Sequence, residues 1–304
     1  MTTEIALVSD ATNGNDLAAM LGFNQGNGTQ SALPELFQLY KAVKGEMEVK
    51  GRKMTVETVP GGYYAIKMAD DSVVYGEKVR VRVFMQRYQY QRFEKFEVPV
   101  DGKNGKLFRT VMANSFQSGD LKDNYGGFNC GRPGGYIKDY DKLQGPLRDI
   151  VKNTKRVMVV FGIAELVNPV DQDGNPVENP GPTPFFMRVK NPKSYKAVES
   201  LTKAAQKMNR LPIHFWAMFG HDFEMLPNGE PNFFFTTALD GQVDLTLEDQ
   251  DTVKNFLDWI EYQNRGILMQ WDKVHSKDIS DEDKELVDQF VNVGTADYDD
   301  EIPF

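Results

Sequence analysis

Apolar positions in this chain alternate with polar ones more often than they recur every three or four residues. From residue 46 to 113 the period is two. Met47 to Thr58, Tyr63 to Met68, Glu77 to Val98 and Lys106 to Met112 read as strands, with Pro60-Gly61-Gly62 and Asp101-Gly102 supplying turns. Runs at 155–167, 184–190, 212–220 and 233–239 read as four more strands. Helical spacing is rarer. Leu36, Phe37, Leu39, Tyr40 and Val43 follow Pro34 and stop at Gly45, which predicts a short helix. A second is expected from about Ser194 to Met208, with Val198, Leu201, Ala205 and Met208 on one face. A third runs from about Leu247 to Tyr262, opened by Thr246 and Asp249 as a capping-box variant. A short fourth follows Ser280 and carries Leu286, Val287 and Phe290. The pattern therefore predicts a mostly β, α+β fold with three to four peripheral helices and no internal repeat.

The stretches without a period mark the organisation. Residues 9–31, rich in Gly, Asn, Ser, Thr and Gln, read as part of a flexible arm over 1–33. Residues 114–149 form a Gly-rich irregular segment, of a length that is usually functional or mobile inside a domain. The Pro-rich stretch Asn168 to Pro184 reads as a hairpin or surface excursion. The expected division is an arm at 1–33, one domain over 34–292 and an acidic tail at 293–304.

Charge changes the picture more than composition does. The 304 residues hold 35 Lys plus Arg against 44 Asp plus Glu, a net charge of −9, yet residues 40–160 carry 23 basic and 14 acidic side chains. Residues 240–304 carry 5 basic and 18 acidic ones. A basic body with an acidic end is a dipolar layout. A single cysteine excludes an internal disulfide framework and a Cys-rich zinc site. No run approaches the ~20 apolar residues of a membrane span, and no secretory signal is seen, so a cytoplasmic protein without membrane contact is expected.

Within the basic body the strand at 78–96 is the most informative. Val79, Val81, Val83 and Met85 alternate with Arg80, Arg82, Phe84, Gln86, Tyr88, Tyr90 and Arg92. One face should bury while the other presents cations and rings. Cations that track phosphates and rings that stack on unpaired bases suit single-stranded nucleic acid; the bland reading is a solvated strand face. Further cations are expected to support the face at Lys50, Arg52, Lys53, Lys67, Arg109 and Arg132. Tyr63, Tyr64, Phe128 and Tyr136 add rings on or near turns.

The chain ends in Asp297, Tyr298, Asp299, Asp300, Glu301, Ile302, Pro303 and Phe304. Four carboxylates before an apolar Ile-Pro-Phe suit docking into a pocket with a basic rim. This ending resembles the tip of bacterial single-stranded DNA-binding proteins, where an acidic run closes in Asp-Ile-Pro-Phe; Glu301 stands where that family has its last Asp. The longer body is similar to the single-stranded DNA-binding proteins of tailed bacteriophages, as is the stretch Asp123 to Ile137. The resemblance implies an OB-like β-barrel core with extra strands and a non-enzymatic role in DNA replication, recombination and repair. It also implies a host-cell cytoplasmic location and a tail that recruits replication enzymes such as a DNA polymerase or helicase-primase. Self-association is left open. The Cys/His zinc site of some phage relatives has no counterpart here.

Other constellations carry less. His214, His221 and His275 are the only histidines, and a His221, Asp222, Glu224 metal site lacks a helical His pair. Cys130 has no base partner nearby in sequence, and Asp171, Asp173 and Gly174 echo a calcium loop that no Glu closes. Trp216, Trp259 and Trp271 sit in apolar surroundings and read as core. No catalytic set, cofactor or metal is therefore expected. A phage structural or assembly protein and a metal-dependent nuclease with dispersed carboxylates remain the competing readings.

Overall fold

The computed structural model describes residues 33–49, 52–100, 103–117, 119–135 and 137–275. The expected helix after Ser280 and the tail lie outside these residues, as do the arm before Leu33, Lys50 and Tyr136. The fold is mostly β, with three α-helices among the described residues. The strands are β1 (Glu35–Gln38), β2 (Val43–Val49), β3 (Arg52–Val59), β4 (Tyr64–Lys67), β5 (Val73–Gly76) and β6 (Lys78–Val100). They continue with β7 (Lys103–Arg109), β8 (Lys155–Val167), β9 (Thr183–Val189), β10 (Phe215–Met225) and β11 (Pro231–Gln242). The helices are α1 (Gly145–Asn153), α2 (Pro192–Lys207) and α3 (Leu247–His275). One sheet runs β11-β10-β6-β8-β9-β1-β4-β5 with β7 on β6, and β2 and β3 form a separate ribbon. The sheets are not closed into a barrel, so the expected OB-like closure is not found.

The chain divides into two compact units. The first holds residues up to Met85 together with Val160–Trp259. Its core is aromatic. Phe161, Phe185 and Phe219 are fully buried on the sheet, and Phe256 and Trp259 of α3 close over Phe161 at 5.6 Å between ring centroids. Helix α2 lies on β11, where the Ser194 hydroxyl accepts from the Phe235 amide and Thr237 donates to the Ala197 carbonyl. The second unit holds Gln86–Val159 and the chain from Ile260 on. Its centre is the buried trio Tyr90, Leu121 and Cys130, with Phe108, Val111, Ala113 and Phe116 packed around it. The α3 segment in this unit buries Ile267 and Trp271, and Asn264 holds both backbone groups of Met112, at 2.7 and 2.9 Å.

Several sequence expectations need correction. The segment behind Pro34 is a strand. Leu36 and Gln38 are both buried, and the residues pair antiparallel with β4 and parallel with β9. Four residues cannot complete a stable helix alone, so the open sheet positions decide. Met47 to Thr58 is the hairpin of β2 and β3, with Val49 opposite Arg52. The third helix extends to His275, carried past its polar stretch by Asn264, Ile267 and Trp271. The irregular segment ends in the first half of α1, with Pro146 in its first turn.

The even face of β6 is the most consequential correction. Val79, Val81 and Val83 are buried as expected, but so is Arg82. Its Nη1 and Nη2 each lie 2.8 Å from a carboxylate oxygen of Asp249, and its Nε donates to the Ile213 carbonyl at 2.7 Å. Asp249 also closes the capping box of α3, accepting from the Thr246 amide at 2.7 Å while its own amide donates to the Thr246 hydroxyl. Burial pushes the Asp249 carboxyl up, but the Arg82 fork and the Thr246 amide outweigh it and hold it below the ordinary value. A folded-state value below the unfolded one adds stability above about pH 4 that is lost as the pH falls further. Arg82→Ala strands a buried carboxylate and is expected to cost about 3–5 kcal/mol in denaturant unfolding. Asp249→Asn should flatten the acid limb of the stability profile; an unchanged limb would remove the pair from this role.

Candidate functional site

The cations expected on the binding face in the first unit are largely matched with carboxylates. Lys53 is exposed and pairs with Glu46 across the ribbon at 2.9 Å, and Lys67 pairs with Asp71 at 2.6 Å. Arg80 lies 2.7 Å from Asp240 and 3.6 Å from Glu165, stacked over Trp216. Arg82 is committed to Asp249, and Phe84 meets Phe256 edge-on at 5.9 Å. Tyr64 is buried and donates to the Gly220 carbonyl at 2.7 Å; burial pushes its phenol well up. Tyr63 is half-buried beside His221, and Arg52 occupies the first position of β3. Of these residues, Lys53, Lys67, Arg80, Arg82 and Tyr64 are held by ion pairs or hydrogen bonds.

The second unit is built differently. Residues 86–159 contain 14 basic and 8 acidic side chains. Five of these cations lie over rings. Arg92 sits 3.9 Å from the Phe108 centroid, Lys106 lies 6.0 Å from Phe96 and 5.7 Å from Tyr125, and Lys122 lies 5.1 Å from Trp271. Arg132 lies 5.9 Å from Tyr90 and Arg156 lies 5.5 Å from Phe116. Of these five cations, Arg92 also pairs with Glu94, at 2.8 Å, and donates to the Cys130 carbonyl; the other four form no ion pair among the described residues. First-unit cations over rings (Arg80, Arg82, Arg188 and Lys193) all carry a carboxylate partner as well. A guanidinium over a ring keeps its N–H donors in its own plane, open to an anion.

The rings themselves form three groups. Tyr88, Tyr90 and Phe116 cluster with Phe116 at 5.3 and 4.8 Å from the two tyrosines. Phe108 and Tyr125 meet at 4.4 Å, and Phe93 and Leu107, paired across the β6–β7 ribbon, are exposed. Phe128 meets Trp271 at 4.7 Å. Arg109 is half-buried, and its amide donates to Asn124. Of the residues expected at the site, the structure therefore brings Tyr88, Tyr90 and Arg132 together, and places Arg92, Arg109 and Phe128 elsewhere in the same unit.

Sequence reasoning missed Lys106, Phe108, Phe116, Lys122, Tyr125 and Arg156. Lys106 and Phe108 sit across from Glu94 and Arg92, but a shift in register between Lys95 and Val100 sets that pairing. Phe116, Lys122 and Tyr125 lie in the irregular segment, where no period points at a face. Their positions are set by loop hydrogen bonds. Asp123 accepts from the Tyr125 and Gly127 amides, and Asn129 accepts from Leu121 while donating to Asp120.

The calcium-loop and metal-site carboxylates Asp171 and Glu224 have protein partners. Asp171 accepts from the Asp173 and Asn175 amides in a turn, and Glu224 is taken by Lys193 and Asn232. No group of three His, Cys, Asp or Glu side chains is placed to hold a metal ion among the described residues. No described helix is long and apolar enough to cross a membrane. No family model matches the chain, and neither a curated protein nor a solved structure does.

Cys130 is fully buried under Tyr90, its thiol 3.4 Å from the Tyr90 carbonyl. Burial, and after it the Asp123 carboxylate, push the thiol well up. A protonated, enclosed thiol is not a nucleophile. Cys130 is expected to resist iodoacetamide at pH 8 in the native protein and to react on unfolding. Rapid native labelling would contradict the burial.

Proposed function

We propose that this chain is a non-enzymatic single-stranded DNA-binding protein whose second unit makes the contact. One observation carries the reading: five cations of that unit lie over aromatic rings, and four of the five have no carboxylate partner among the described residues. Such pairs offer a strand both of its needs. The ring edges and faces near Phe96, Tyr125 and Phe116 accept bases, at ~1–3 kcal/mol each, without reading sequence. The cations take phosphates and release counterions. An open sheet with an exposed ribbon can present such a surface; an OB-like core is compatible with this but is not required by it.

The acidic stretch Asp297, Asp299, Asp300 and Glu301, with Ile302, Pro303 and Phe304, has a part in this reading. It competes with DNA for the basic surface and, when displaced, recruits a replication or recombination enzyme such as a polymerase or helicase-primase. The competing assembly and nuclease readings have no comparable observation behind them.

The test is a titration with oligo-dT across a salt series. If Lys106, Lys122, Arg132 and Arg156 each meet a phosphate, log affinity should fall against log salt with a slope of about −3, from ~0.7 per contact on single strands. Lys106→Ala should reduce that slope by about 0.7, and Tyr125→Ala should weaken binding by ~1–3 kcal/mol with the slope kept. Arg80→Ala should change neither. Absence of binding at low salt would end the proposal. Removing residues 297–304 should strengthen binding most at low salt, where screening is weak; weaker binding after truncation would end the competition role.

A further inference from the structure

Arg132 and Arg156 are placed at an energetic disadvantage that no carboxylate among the described residues relieves. Both are half-buried, and the Nε atom of each is enclosed and has no hydrogen-bond partner. They lie over neighbouring rings, Arg132 over Tyr90 and Arg156 over Phe116, and those rings are 4.8 Å apart. Burial first and the Arg156 charge second hold the Arg132 guanidinium below its ordinary basicity. The Tyr90 phenol, which also shares a hydrogen bond with the guanidinium, and the Tyr140 phenol act the other way, and no carboxylate does. A half-buried cation without a counter-charge costs free energy, and a like charge beside it raises the cost.

The fold nevertheless fixes both residues. Arg156 is in β8. Arg132 follows Asn129, Cys130 and Gly131, whose φ values of +51°, +57° and +81° are held by the Asn129 hydrogen bonds to Leu121 and Asp120. Positive φ at two consecutive non-glycine residues is a strained arrangement that the surroundings must impose. The loop thus holds Arg132 near a like charge where a relaxed one would let it swing into solvent. Stem packing on the rings explains the contact with Tyr90 and Phe116, but not two enclosed, unpartnered donors of one sign.

We propose that Arg132 and Arg156 form a two-arginine cradle for one phosphate group, walled by Tyr90 and Phe116. Two guanidinium forks match the several oxygens of a tetrahedral anion and do so best where water is excluded. The proposal deepens the DNA-binding reading and rests on it for one possible source of the phosphate, a strand phosphodiester; the other is a free phosphate or mononucleotide. Tyr88, 5.3 Å from Phe116, extends the ring surface beside the cradle.

The test uses the full chain and inorganic phosphate as the probe, at ionic strength held constant with sodium chloride. Millimolar phosphate should raise the melting temperature of the wild type and leave Arg132→Met and Arg156→Met unmoved, while Lys152→Met responds like the wild type. In the same variants oligo-dT affinity should fall about tenfold, whereas thymidine monophosphate should compete only where the source is a free nucleotide. A measurement on the wild type alone covers variants that do not fold. Phosphate should slow phenylglyoxal modification of Arg132 and Arg156, mapped by peptide mass, and leave Arg148 unchanged. Phosphate protection without any oligo-dT binding would keep the cradle and remove the DNA reading. Oligo-dT binding that both variants retain, with phosphate giving no protection, would remove the cradle and keep the DNA reading.

Discussion

The pairing of Arg82 with Asp249 settles what β6 can do. A strand with valines on one face and cations on the other is amphipathic only if nothing covers its polar face. Helix α3 starts over that face, and its third residue supplies the carboxylate that takes the Arg82 fork. Asp249 answers the first orphan amides of the helix and the buried guanidinium together, so neither the helix start nor the strand face is independent of the other. A buried ion pair adds little net stability over apolar packing, and its value here is positional. It fixes where α3 begins, and from there Phe256 and Trp259 fall onto Phe161.

The same comparison of partners separates two kinds of arginine. Arg80, Arg82 and Arg188 lean on rings and are also neutralised by Asp240, Asp249 and Glu35. Arg132 and Arg156 lean on rings without a carboxylate partner among the described residues. A carboxylate already in place competes directly with a phosphate for the guanidinium, whereas a ring leaves the in-plane donors open. Local charge excess does not reveal this difference, because both kinds of arginine count the same in it.

Much of the architecture was legible. The limits of β8 and the capping box at Thr246 and Asp249 follow from the residues, because a buried period-two run and a reciprocal cap are local signals. The strand at Glu35–Gln38 was not legible. Leu36, Phe37, Leu39 and Tyr40 satisfy a helical template, and what rejects it is hydrogen bonding to β4 and β9. The cation and ring face expected on β6 was not legible either. Parity predicted that Arg82 and Tyr90 share an exposed face; both are buried, by elements remote in sequence.

The ring and cation pairs of the β6–β7 ribbon show why the site itself resists sequence reading. Val100 pairs with Lys103, and continuing that register would set Arg92 opposite Val111. The irregularity between Lys95 and Val100 shifts the partner to Phe108. A shift of three residues also inverts the face, since side chains alternate with a period of two. With it, Arg92 stacks on Phe108 and Lys106 reaches Phe96 and Tyr125. Gly105 makes room in the same place, because a Cβ there would meet the Phe93 ring at 2.5 Å and the Glu94 carbonyl at 2.3 Å. The surface that presents rings with cations is thus the product of one bulge and one glycine. Neither is visible as chemistry in the sequence, and both act only once the strands are paired.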